Sequence, residues 1–106
     1  MHASITSLLT LNKSQVSTLC GNLLVRELRI FGSALGGKFN PATSDMDFVV
    51  EFFEPETPGI ADRYMSLALG LERIFQRPVD LVTKQAMKNP IFRETVEKTS
   101  QSLYAA

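Results

Sequence analysis

The chain is poor in the residues from which many active sites are made. Its 106 residues hold one histidine, His2, one cysteine, Cys20, and no tryptophan. A histidine metal site or a Ser–His–Asp triad therefore has almost no material, since His2 sits at a terminus expected to fray. A single cysteine closes no internal disulfide, which fits a reducing cytoplasm. Cys20 lies in an apolar helical pattern and reads as a packed core residue rather than a reactive thiol. Excess charge is lacking too. Eleven Lys and Arg balance 11 Asp and Glu, which gives no support for a generic nucleic-acid or membrane-surface binder. No stretch approaches the ~20 apolar residues of a membrane span. No basic segment followed by a long apolar run opens the chain, so no signal peptide is expected.

What is present is an ordinary globular composition, 44% hydrophobic and 21% charged. The length suits one domain, residues 1–106, around one core. A chain of this size buries roughly 65% of its unfolded surface and needs no staples.

Residues from about Asn12 to Asn22 predict a first helix, with Asn12 as N-cap. Leu24 to Phe31 alternates well enough for a strand. Gly32-Ser33 breaks it, a short helix or turn follows through Leu35, and Gly36-Gly37 and Asn40-Pro41 punctuate a loop. Asp45 to Phe53 is the clearest strand, ended by Pro55 to Gly59. Ile60, Tyr64, Leu67, Leu71 and Ile74 step by four and three residues, one apolar stripe of a helix. Pro78 ends that region, and Val79 to Thr83 predicts a third strand. From Lys84 to about Lys98 the pattern is helical, interrupted at Asn89-Pro90, and Leu103 and Tyr104 read as a docked terminus. The expected order is α-β-α-β-α-β-α. It fits an α/β (α+β) fold with a small mixed sheet and helices packed on one face, leaving the other for chemistry.

Three acids interrupt these strands, where Asp is normally depleted. Asp45 and Asp47 are two apart, so a strand points both to one face. Glu51 shares that face and reads either as solvated or as a residue supporting the other acids from behind. Asp80 joins the pair only if its strand lies alongside. Three such carboxylates repel one another unless divalent metal neutralises them. Two Mg²⁺ ions about 4 Å apart perform that task in many phosphoryl- and nucleotidyl-transfer enzymes. Asp80 would also lie near an attacking hydroxyl and could take its proton. Gly32 lets backbone N–H groups approach a phosphate closely. Ser33 adds a hydroxyl at a helix start. Lys38 and Ser44 complete the candidate nucleotide-binding residues.

These residues, Phe31-Gly32-Ser33, Ser44-Asp45-Met46-Asp47-Phe48-Val49-Val50 and Pro78-Val79-Asp80-Leu81-Val82, resemble the minimal nucleotidyltransferases of the DNA polymerase beta superfamily. The resemblance runs from about residue 24 to the Leu103-Tyr104 ending. It implies the nucleotidyltransferase fold, a nucleoside triphosphate held through Ser33, and Asp45, Asp47 and Asp80 on two Mg²⁺ ions. Stand-alone members of this length are often encoded beside a HEPN-domain protein. In some such pairs, AMP moves from ATP to a tyrosine of the partner toxin, and the transferase is the antitoxin.

Eleven residues, Ala34 to Ser44, separate Ser33 from Asp45, one more than the family pattern. An Arg often found near this loop is absent, with Gly36-Gly37 in its place. Lys38 could substitute, though Lys does not reproduce the Arg fork. A second function therefore stands beside the enzyme: a nucleotide-binding module, catalytically weak or inactive, that neutralises its partner by complex formation. Transfer to a small molecule such as an aminoglycoside fits less well, because such enzymes usually carry an added helical domain. The sequence leaves the base, the acceptor and any homo-oligomer open.

Overall fold

The computed structural model describes residues 5–31 and 46–106. In chain order the described elements are α1 (Ile5–Leu11), α2 (Lys13–Asn22), β1 (Val25–Phe31), β2 (Met46–Phe52), α3 (Ile60–Phe75), β3 (Val79–Thr83), a 3-10 turn (Lys84–Ala86), α4 (Pro90–Thr99) and β4 (Gln101–Ala105). The strands form one sheet in the order β3-β2-β1-β4. β1 runs antiparallel to both β2 and β4, whereas β2 and β3 are parallel and joined through α3. The mixed sheet with helices is the expected fold class.

Alternation builds the core. Met46, Phe48 and Val50 of β2 are fully buried, as are Leu28 and Ile30 of β1, and they pack against Val16, Cys20, Leu67, Leu71 and Phe75 of α2 and α3. Leu67, Leu71 and Phe75 lie four apart, which keeps them on one side of α3. Tyr64, a turn earlier, donates its hydroxyl to the Leu81 carbonyl and pins α3 to β3. Gly59 starts α3 at φ 91°, a conformation that costs glycine little.

The turns on either side of β1 and β2 meet at one cation. Leu24 and Glu54 both adopt positive φ, 58° and 49°, which non-glycine residues rarely do. The Arg63 guanidinium donates to the carbonyls of Leu23 (3.3 Å), Phe53 (3.0 Å) and Glu54 (2.8 Å) and lies over the Phe52 ring. One side chain thus closes both turns.

Three sequence expectations change. The first helix is two helices broken at Asn12, whose side-chain amide donates to the Leu8 carbonyl at 2.8 Å rather than capping α2. Asn side chains compete with the backbone for such bonds. Leu103 and Tyr104 belong to a fourth strand, paired with β1. The second face of the sheet is not wholly bare. Val96 of α4 packs there with Val49 and Met87, bordered by Phe31 and Val82. The expected short helix after Ser33 lies outside the described residues.

Candidate functional site

Two of the three acids meet. In the parallel β2–β3 pair Asp47 stands opposite Asp80, and in the antiparallel β1–β2 pair Phe31 stands opposite Asp47. Adjacent strands are about 4.8 Å apart, and paired residues point to the same face. Asp80, Asp47 and Phe31 therefore form one row across three strands, on the face turned away from α1 to α3.

The apolar neighbours hold the acids in place. Met46 and Phe48, both fully buried, flank Asp47, and Leu81 is buried beside Asp80. Slipping either strand by one residue would bring a carboxylate into the core and these side chains into water. The Met46 N–H donates to the Pro78 carbonyl at 3.3 Å, which fixes the two strand starts against each other. The Glu72 carboxylate accepts from the Val79 N–H at 3.4 Å. Asp47 is half-buried and Asp80 exposed.

β1 ends at Phe31, opposite Asp47, and Gly32 follows it in sequence. Gly32, Ser33, Lys38, Ser44 and Asp45 themselves lie outside the described residues. Among the described residues no group of three or more Asp, Glu, His or Cys side chains is placed to hold a metal ion. Glu51 lies four residues further along β2 than Asp47, about 13 Å away at strand rise, too far to support the acid pair directly. Lys84 approaches it at 3.6 Å. There Glu27, Arg29, Lys84 and Glu97 line a cleft of about 160 Å³ floored by Val49, Met87 and Val96. Arg29 bridges Glu27 at 2.8 Å and binds the Ser100 hydroxyl at 2.7 Å.

Sequence reading overlooked one neighbour of the row. Phe92 of α4 meets Phe31 edge to face, with ring centroids 6.3 Å apart. Phe31 itself borders the smaller cluster on the acid face. Cys20 contributes no nucleophile. It is fully buried, and burial pushes its thiol up to about 12.

The donors suit a hard divalent cation. Asp47 and Asp80 offer carboxylate oxygens from neighbouring register positions on one face, and Mg²⁺ takes one or two carboxylates with phosphate and water. The acid row, the parallel β2-α3-β3 unit and the end of β1 thus lie side by side. Residues 13–103 match the nucleotidyltransferase domain family. The chain belongs to that family and is a nucleotidyltransferase.

Its relatives agree. It is 35% identical over 74 residues, 70% of this chain and 72% of the relative, to a Methanocaldococcus jannaschii protein provisionally named a protein adenylyltransferase. A solved structure provisionally described as a minimal nucleotidyltransferase superposes with a TM-score of 0.74 at 28% identity, covering 95% of both chains. A chain of a toxin–antitoxin complex with AMP-PNP shares the fold at TM-score 0.65 and 19% identity, covering 90% of this chain and 74% of its own. A chain from the complex of a tri-AMPylated Shewanella oneidensis HEPN toxin with its MNT antitoxin shares it at 0.61 and 19%, covering 92% and 73%. No helix among the described residues is long and apolar enough to cross a membrane.

Proposed function

We propose that this nucleotidyltransferase moves AMP from ATP to a tyrosine hydroxyl of a HEPN-domain partner and so acts as its antitoxin, working in the cytoplasm as a single domain. The observation that carries the reading is the in-register Asp47–Asp80 pair on the acid face of a chain of this family. The adenylyltransferase name of one relative and the AMPylated toxin bound in another complex support the donor and the acceptor.

Asp45, Asp47 and Asp80 would hold two Mg²⁺ ions, which supply neutralisation of the triphosphate charge. Gly32, Ser33, Lys38 and Ser44 bind the phosphates and keep the α-phosphorus in line with the acceptor. The acceptor oxygen forms a bond to that phosphorus. The bond to the oxygen bridging the α- and β-phosphates breaks, and pyrophosphate leaves with the electron pair. The Asp80 carboxylate takes the hydroxyl proton.

The test is incubation with α-labelled ATP, Mg²⁺ and the protein encoded beside this one. Label should move to the partner with the wild-type chain and stay in ATP after Asp45→Asn with Asp47→Asn. Transfer that survives the double substitution would sink the reading. The lengthened Ala34–Ser44 segment favours one other function, neutralisation by complex formation alone. A double variant that restrains the partner as well as wild type does would select it.

A further inference from the structure

We propose that the Phe31–Phe92 pair is the wall on which the base of the donor nucleotide stacks; this rests on the nucleotidyl-transfer reading above. Phe31 adjoins Asp47 in the row across the sheet, and Phe92 meets it at an interplanar angle of 79°. Phe92 remains 47% exposed and Ile91 beside it 77% exposed, although both stand at a fixed helix start. The Asn89 side chain caps that start by accepting from the N–H groups of Ile91 (2.9 Å) and Phe92 (3.3 Å). An aromatic ring held by a second ring, with surface still open to water, is a ready stacking platform.

Position favours the donor nucleotide over the acceptor. Asp80, the acid assigned to the acceptor, lies on the edge strand β3. Phe31 lies two strands away on β1 and precedes in sequence Gly32-Ser33, the proposed phosphate contact. The aromatic pair is thus on the β1 side of Asp47, away from the acid assigned to the acceptor. Stacking uses the face that every base has, so it holds the base without strongly choosing among bases.

The chain contains no tryptophan, so a Phe92→Trp variant carries its one tryptophan at the proposed contact, excited selectively over the tyrosines. Its emission should be quenched by ATP with Mg²⁺ but not by inorganic tripolyphosphate with Mg²⁺. Phe92→Ala should weaken ATP binding by roughly tenfold, the scale of one stacked base, and leave tripolyphosphate binding unchanged. Phe92→Leu, which keeps apolar volume without a ring, should bind ATP like the alanine variant. ATP bound equally by wild type and Phe92→Ala overturns the stacking role. If that variant instead raises only the KM for the partner protein, the helix tip holds the acceptor and the proposal is likewise overturned. A wild-type chain that binds neither ATP nor tripolyphosphate overturns the nucleotidyl-transfer reading, and the stacking role falls with it.

Discussion

Strand β2 has two faces with opposite characters. Met46, Phe48 and Val50 are wholly buried on one, while Asp47, Val49 and Glu51 alternate with them on the other. The first face joins the main core with α2 and α3. The second carries an acid, a valine under α4 and a second acid drawn to Lys84. A single seven-residue strand therefore presents a core face and an acid face by parity alone. The apolar face also does work for the acid face, because it sets the register that puts Asp47 opposite Asp80.

Substitutions should divide along the same line. The largest effect is expected from Asp47→Asn with Asp80→Asn, which should lower nucleotidyl transfer by at least about a thousandfold, beyond the loss typical of one electrostatic contact. Thermal unfolding should show the fold retained. A variant that keeps transfer within tenfold of wild type would remove the acid face from the chemistry. On the other face, Phe48→Ala should cost about 3–5 kcal/mol by the cavity it leaves, read as a lower urea midpoint. Whatever fraction remains folded should still bind ATP. A loss of binding greater than the loss of folded protein would break the division between faces.

Arg63 tests the connections rather than either face. Arg63→Ala frees three carbonyls at two turns of positive φ, and about 2 kcal/mol of stability should go with them. Hydrogen exchange should quicken first around Leu24 and Glu54. The smallest effect concerns Cys20. Its folded value of about 12 lies above the ordinary 9.0, so its contribution to stability is complete below pH 9 and is lost as pH rises from there through 12. Wild type should therefore lose more stability than Cys20→Ala across that window. At pH 8 a thiol reagent should label the native protein only on unfolding.

The sequence made β1, β2, β3 and α3 legible because their apolar residues recur at the spacing of each element. β4 was harder to see. Gln101-Ser102-Leu103-Tyr104 has little apolar pattern, and its strand form comes from pairing with β1, a contact far away in sequence. The break at Asn12 was missed for a local reason, since an Asn that suits a helix start also suits a helix end when its amide reaches back to a carbonyl. The acids stood out in the sequence by being misplaced in apolar strands. That Asp47 and Asp80 are neighbours did not, because strand order and parallel register are settled by packing against α3. Phe92 carried no signal at all, as an exposed aromatic on a polar helix looks like any other.

The β2-α3-β3 crossover has a consequence in time as well as in space. Asp47 and Asp80 belong to a parallel pair, whose strands need a long connection before they can touch. Contacts across such a span carry a large entropy cost and tend to form late. The acid pair therefore comes into being only with the tertiary fold. A chain collapsed into helices and local turns would have both carboxylates and no site. The metal affinity proposed for that pair, followed during refolding, would act as a clock for the moment the sheet closes.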